Sequence, residues 1–424
     1  MMSENETGQA ENWKRPFFTI WLGQAASLLG SSMIGTALGW WLASRTGSGI
    51  IFSISMIFEM GPGIVLGPFA GALVDRWNRR AVMLVADAFI ALMTLWLLYL
   101  FLVGQVQVWH IYAIMLLRSA AGTFHNPAMM ASTALMVPEA HLTRVSGMND
   151  ALNGVINIFA PAAAAFLVEA FSIEAVLTID IATALIAVVP LLFTAIPQPE
   201  RKAQTALIKP SVWADVKEGF AYIVGWRGLV ALIGVSIVLN FVLTPAFSLL
   251  PLLVSEHFKA GAGGLGIIEG AWGVGMIAGG LLMGVWGGSS RKIITSLGGM
   301  VALGTGALMV GSASPSGFWL AVGGVVWTGL MMPVVNGPIF AILQAYIPPD
   351  MQGRVLGILR TLIQSVTPVG LLLFGLIADG TSVQVPFILA GLATCGLGIV
   401  GLLIPPLVNI EENAREWQQE SVSD

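Results

Sequence analysis

Gly67-Pro68-Phe69-Ala70-Gly71-Ala72-Leu73-Val74-Asp75-Arg76-Trp77-Asn78-Arg79-Arg80 gathers one acid and three arginines between two long apolar runs, near 50–74 and 82–103. Each run matches the roughly 20 residues an α-helix needs to cross a bilayer core. The charged stretch is then a short turn at the water interface. Working outward from it, the same alternation fills the chain. Apolar runs lie near 16–43, 50–74, 82–103, 108–136, 143–170, 174–196, 227–255, 263–288, 293–312, 316–346, 354–378 and 383–405. Of the 424 residues, 56% are hydrophobic and 10% charged, against roughly 25% charged in soluble domains. So few ions cannot solvate a surface of this size, and a soluble enzyme is excluded. The net charge of -4 leaves no basic face for nucleic acid, and the single cysteine, Cys395, excludes an internal disulfide or a multi-cysteine metal site. The alternating ten-residue strands of a membrane barrel are absent. The first run is too long and too lightly flanked for a cleaved signal peptide. The expected fold class is all-α integral membrane, with twelve transmembrane helices.

Basic residues set the orientation. Lys14, Arg15, Arg76, Arg79, Arg80, Arg144, Arg201, Lys202, Lys209, Lys217, Arg291, Lys292 and Arg354 fall on one side of the twelve-span arrangement, and the opposite loops carry only Arg45 and Lys259. Both termini are expected in the cytoplasm, with the chain multi-pass in the cell membrane. Dropping one span would put the later basic loops on the wrong face.

The longest connection, near 197–226, holds Pro197, Pro199 and Pro210, and Trp213, Val216, Phe220 and Ile223 recur in it at helical spacing. It reads as a linker carrying an amphipathic helix on the inner membrane surface. An internal repeat lies on either side. Asn126, Pro138, Arg144 and Gly147 in one half match Asn336, Pro348, Arg354 and Gly357 in the other; 126 to 336, 138 to 348, 144 to 354 and 147 to 357 are each 210 positions apart. The expected organisation is a tail at 1–15, a six-helix bundle at 16–196, the linker at 197–226, a pseudo-symmetric six-helix bundle at 227–405 and a tail at 406–424. Duplicated halves of this kind build transporters with a central substrate site.

In the opening stretch, Gly67 and Gly71 share one helix face and are expected to pack on a neighbouring helix. Asp75 ends the helix and can accept from the first amides of another. Arg76, Arg79 and Arg80 stand beside it, with Glu139 as a candidate carboxylate partner for Arg79 and Arg80. Asp87, two turns further in, is assigned to the same cytoplasmic gate. This loop resembles the Gly-x-x-x-Asp-Arg-x-Gly-Arg-Arg signature of the major facilitator superfamily, with Asn78 where glycine is usual. Asn tolerates the left-handed backbone that glycine would supply, so the turn is expected to survive. A degenerate copy, Gly280, Gly284 and Ser289-Ser290-Arg291-Lys292, lacks the aspartate. Arg118-Ser119-Ala120-Ala121-Gly122 resembles the Arg-x-x-x-Gly element of proton-coupled facilitators. Asn336-Gly337-Pro338 through Pro348-Pro349-Asp350-Met351-Gln352-Gly353-Arg354-Val355, with Trp213-Ala214-Asp215-Val216-Lys217-Glu218-Gly219-Phe220, is similar to the macrolide-efflux and enterobactin-exporter branch. The fifth run departs from the antiporter pattern: Ala160-Pro161 is followed by alanines 162–165 without the usual glycines. The resemblance implies export by alternating access, driven by inward proton flow, with the proton gradient as energy source and no cofactor.

Charges inside the spans bear on coupling, since one at mid-bilayer costs roughly 2.5–3.5 kcal/mol on insertion scales. Glu59 and Arg118 lie at matching depth in the second and fourth runs, roughly 15 Å below their outer ends at 1.5 Å per residue. They are the expected buried pair, Glu59 carrying the proton and Arg118 modulating it. Asp180 is expected near the outer face in a structural role, and His125 as a satisfied core histidine. Phe124, Asn126, Asp150, Asn153, Asn157, Asn240, Glu269, Asn336 and Gln364 are candidates for the substrate cavity. Methionine and aromatic residues such as Trp40, Trp41, Met129, Met130, Phe241, Phe247, Met331 and Met332 suit bulky amphipathic compounds, drug-like or siderophore-like. The partners expected are that small molecule, protons and the bilayer, with the protein a monomer and no metal. Competing readings are an importer of a small metabolite and a lipid flippase or assembly factor without small-solute flux. No nucleophile–base pair or phosphate loop points to a membrane enzyme.

Overall fold

The computed structural model describes residues 13–74, 77–194, 196, 212–347 and 349–414. Among them every regular element is helical. In chain order they are α1 (Lys14–Thr46), α2 (Gly49–Val74), α3 (Arg79–Leu102), α4 (Val108–Met136), α5 (Glu139–Ala170), α6 (Ile173–Phe193), α7 (Val212–Gly225), α8 (Arg227–Ser248), α9 (Ala262–Trp286), α10 (Lys292–Ser312), α11 (Phe318–Tyr346), α12 (Pro349–Ser365), α13 (Thr367–Gly380) and α14 (Val385–Leu402). α8 continues through a short turn into a π-helical segment, Leu253–His257. α12 and α13 make one span, broken at Val366. Eleven spans are long and apolar enough to cross a membrane. α4 has the length but carries Arg118, His125 and Asn126 along it. The twelve expected runs are thus twelve helical spans, with α7 the additional linker helix.

Two compact units emerge. The first takes residues 1–46, 54–203 and 261–266, and the second takes 47–53, 204–260 and 267–424. Inside the first, α1 packs on α5 and α6, and α3 packs on α4 and α6. Inside the second, α10 lies against α11 and α14, while α8 lies against α13 and α14. The amphipathic helix α7 joins this second unit. Its packed face is Gly219, Tyr222 and Ile223, continued by Trp226, whereas Phe220 stays exposed. Of the expected stripe, Ile223 is buried and Phe220 exposed, and the side chains of Trp213 and Val216 lie outside the described residues. The Tyr222 hydroxyl donates to the Tyr346 carbonyl at 2.9 Å, and burial pushes its pKa to about 12.

Glycine brings α9 and α11 together. A methyl on Gly329 would stand 2.6 Å from the Trp272 carbonyl oxygen, and methyls on Gly275 and Gly279 would overlap the carbonyl oxygens of Val326 and Leu330. Close crossing of this kind replaces hydrophobic driving force in lipid. A methyl on Gly280, one position along, meets nothing within 4 Å. Gly279→Ala is therefore expected to destabilise by about 1–3 kcal/mol through overpacking. Gly280→Ala should be neutral or slightly stabilising, and melting in detergent compares the two.

Candidate membrane-embedded charge site

α1, α3, α4 and α6 bring a polar cluster together inside the first unit. Asp180 on α6 is fully buried and lies 2.8 Å from Arg118 on α4. Ser31 on α1 donates to Asp180 Oδ1 at 3.0 Å, and Thr94 on α3 donates to Asp180 Oδ2 at 2.8 Å. Arg118 also meets Thr94, and it donates to Ser31 Oγ at 3.2 Å. Four helices are thereby joined through one neutral pair whose oxygens and guanidinium are both satisfied. The expected Glu59–Arg118 ion pair is not formed; Asp180 has the arginine instead. Asp180 lies at the centre of these polar contacts of the first unit, in the structural role expected of it.

A second buried cluster lies on α1, α3 and α4. Gln24 Nε2 donates to Asp87 Oδ2 at 2.8 Å, and His125 Nε2 lies 3.1 Å from Asp87 Oδ1. Asp87 is 4% exposed and lies in the interior of the first unit. His125 is buried, as the sequence suggested, but its Nε2 approaches Asp87 without making a hydrogen bond among the described residues. Ser31, Thr94 and Gln24 went unremarked in the sequence; their only signal there is polarity inside otherwise apolar runs.

Glu59 on α2 is different. Ser119 on α4 donates to its backbone carbonyl, but among the described residues no hydrogen bond or ion pair holds its carboxylate. A methyl on Gly35 of α1 would stand 3.0 Å from Glu59 Oε1, so the glycine leaves room for the acid. Arg118 reaches the Glu59 carboxylate only through space. In the second unit Glu269 on α9, half-buried where Glu59 is exposed, also has no partner among the described residues. It stands 210 positions after Glu59, the same offset as the other repeat landmarks.

Asn240 on α8 accepts from Thr367 on α13 at 2.7 Å. Phe124 stacks beside Trp77 with ring centroids 6.1 Å apart. Asn126, Asn153, Asn157, Asn336 and Gln364 are exposed. The side chain of Asp150 lies outside the described residues.

At the expected gate, Asp75 and Arg76 lie outside the described residues, as do the surroundings of Gly71 and the side chain of Glu139. A methyl on Gly67 would meet nothing within 4 Å among the described residues. Arg80 donates to the carbonyls of Leu191 and Leu192 at 2.6 Å each. Its guanidinium closes the last turn of α6 and pairs with no carboxylate among the described residues. Arg79 donates to the Ala131 carbonyl at 3.1 Å. Asn78 has φ -69° and ψ 111°, and its side chain accepts from Ala81 N. It is an N-cap in extended backbone, a role asparagine fills well, and not a left-handed stand-in for glycine.

The sequence pattern of the Major Facilitator Superfamily matches residues 20–368 and 233–422. Macrolide efflux protein A of Streptococcus pyogenes is 32% identical over 389 residues, covering 92% of this chain and 96% of that protein. Multidrug efflux pump Tap of Mycolicibacterium fortuitum is 24% identical over 414 residues, covering 94% and 98%. Among solved structures, a D-xylose-proton symporter aligns with TM-score 0.68 at 14% identity, covering 91% of this chain and 96% of that one. A bacterial homologue of the lysosomal transporter Spinster aligns with TM-score 0.67 at 11% identity, covering 96% and 98%. With twelve helical spans and a 210-residue repeat, the chain belongs to the Major Facilitator Superfamily, as a multi-pass membrane transporter of its macrolide-efflux branch.

Proposed function

We propose that the protein exports amphipathic drug-like compounds, macrolides foremost, by proton antiport and alternating access, with both termini in the cytoplasm. Likeness to efflux proteins along the whole chain supports the substrate class. The observation that carries the coupling is the state of Glu59. Asp180 is held in an ion pair with Arg118, which removes it as an exchangeable group, and Asp87 is engaged by Gln24. Glu59 is an acid inside a span with no such partner, so its proton can come and go as water reaches it. Its repeat counterpart Glu269 is the second group of this kind.

Purified protein in liposomes with an imposed pH gradient tests the reading. Adding a macrolide should speed collapse of the gradient while the drug moves against the proton flow. Drug flux that ignores the gradient, or runs with the protons, would sink proton antiport. Absence of any drug flux would favour a lipid-directed or assembly role.

A further inference from the structure

Two helices change unit along their length. Positions 47–53 belong to the second unit and the rest of α2 to the first; positions 261–266 belong to the first unit and the rest of α9 to the second. Each of these first turns is held by a carboxylate from the last turn of another helix. In the second unit Asp379, on α13, accepts from Ser48 Oγ at 2.7 Å, from Gly49 N, and from Ile50 N at 3.2 Å. In the first unit Glu169, on α5, accepts from Gly263 N at 3.3 Å, and a methyl on Gly261 would stand 2.7 Å from its Oε2.

The two arrangements repeat each other. Glu169 and Asp379 are 210 positions apart, the offset of the internal repeat. Four residues before each acid stands a small residue, Ala165 or Gly375, which are also 210 apart. A methyl on Gly266 would lie 3.1 Å from Ala165 Cβ, and a methyl on Gly375 would lie 2.8 Å from the Gly49 carbonyl oxygen. So in both copies a small residue lets the helices touch, and one turn on a carboxylate takes the free amides of the helix start. Free N-terminal amides attract negative charge, and the acid is not paired with a cation in either copy among the described residues. A bond of this kind needs no buried charge partner and can break with water replacing the acid.

We infer that Glu169 and Asp379 are a matched pair of releasable clips that hold the first turns of α9 and α2, and that both let go during the transport cycle. On the basic-residue count both lie at the outer face. The inference rests on the alternating-access reading, but its test requires no transported compound.

Ser53 is fully buried one turn inside Gly49, next to Gly375, and Ala165 is 2% exposed beside Gly266. With Cys395→Ser as background, Ser53→Cys and Ala165→Cys each provide a single reporter thiol. Right-side-out membrane vesicles are treated with a membrane-impermeant maleimide and the labelling rate is followed. Asp379→Ala should speed labelling at position 53, and Glu169→Ala at position 165, by about fivefold, the upper range for a charge at a helix start. Asp379→Glu should return most of the slow rate. Unchanged rates in both alanine variants overturn the inference. So does labelling at either position as fast, without those substitutions, as at an exposed control such as Arg45→Cys, or no labelling from outside in any variant. Should Asp379→Ala not accumulate in the membrane, Asp379→Asn removes the charge with less disturbance and is read by the same criteria.

Discussion

Arg118→Ala will unfold much of the first unit's membrane core under conditions that leave the parent protein intact. Asp180 is fully buried and the Arg118 side chain is 10% exposed. Removing one member of such a pair leaves an uncompensated charge in a low-dielectric interior, which costs about 3–5 kcal/mol. Ser31 and Thr94 still donate to Asp180, which places the expected loss toward the lower end. A melting midpoint in detergent should fall by on the order of 10 °C. The converse change, Asp180→Asn, strands the guanidinium with only hydroxyl and carbonyl acceptors, the Ile90 carbonyl among them at 3.5 Å, and should cost a similar amount. Combining Arg118→Met with Asp180→Asn removes both charges and should recover most of the stability. With Arg118→Met also measured alone, the double-mutant cycle gives the coupling directly. A midpoint unchanged by Arg118→Ala would show that the pair is not what joins α1, α3, α4 and α6.

How much of this was readable in the sequence depends on what each residue had to specify. The spans were, because hydrocarbon demands long apolar runs and the basic loops fix their number. The repeat was, because its landmarks are single residues at one offset. Helix rotation was not. Each residue turns a helix by about 100°, so span edges known to within a few residues leave the facing side open. Depth alone placed Glu59 beside Arg118, while the rotation of α6 gives the arginine to Asp180. The same ignorance singled out Gly67 for a tight crossing, whereas Gly275, Gly279 and Gly329 are among the glycines that meet backbone. Depth places Asp87 toward the cytoplasmic end, but only the helix rotations bring Gln24 and His125 to face it from two other helices. Asn78 was misread for another reason. A residue that substitutes for glycine in one motif is also a strong helix cap, and the backbone angles decide between the two.

Glu59→Gln should abolish pH-driven transport and leave the fold almost untouched. The amide copies the shape of the protonated acid, so it fixes the group in its proton-loaded form at every pH. No ion pair is broken, because Arg118 is bound to Asp180. The Gly35 contact tolerates an amide of the same size. Stability should therefore stay within about 0.5 kcal/mol, in contrast to Arg118→Ala. In proteoliposomes, drug-dependent collapse of an imposed pH gradient should drop to the level of protein-free vesicles. Drug exchange without a gradient should persist, since that step requires no net proton release. Glu59→Asp keeps a titrating group on a shorter arm and should retain part of the driven rate. If Glu59→Gln alone leaves half or more of the driven rate and Glu269→Gln removes it, the coupling acid is the repeat counterpart on α9. If both single variants transport at full rate against the gradient, neither unpaired acid carries the proton, and the distinction between fixed and exchangeable carboxylates loses its functional meaning.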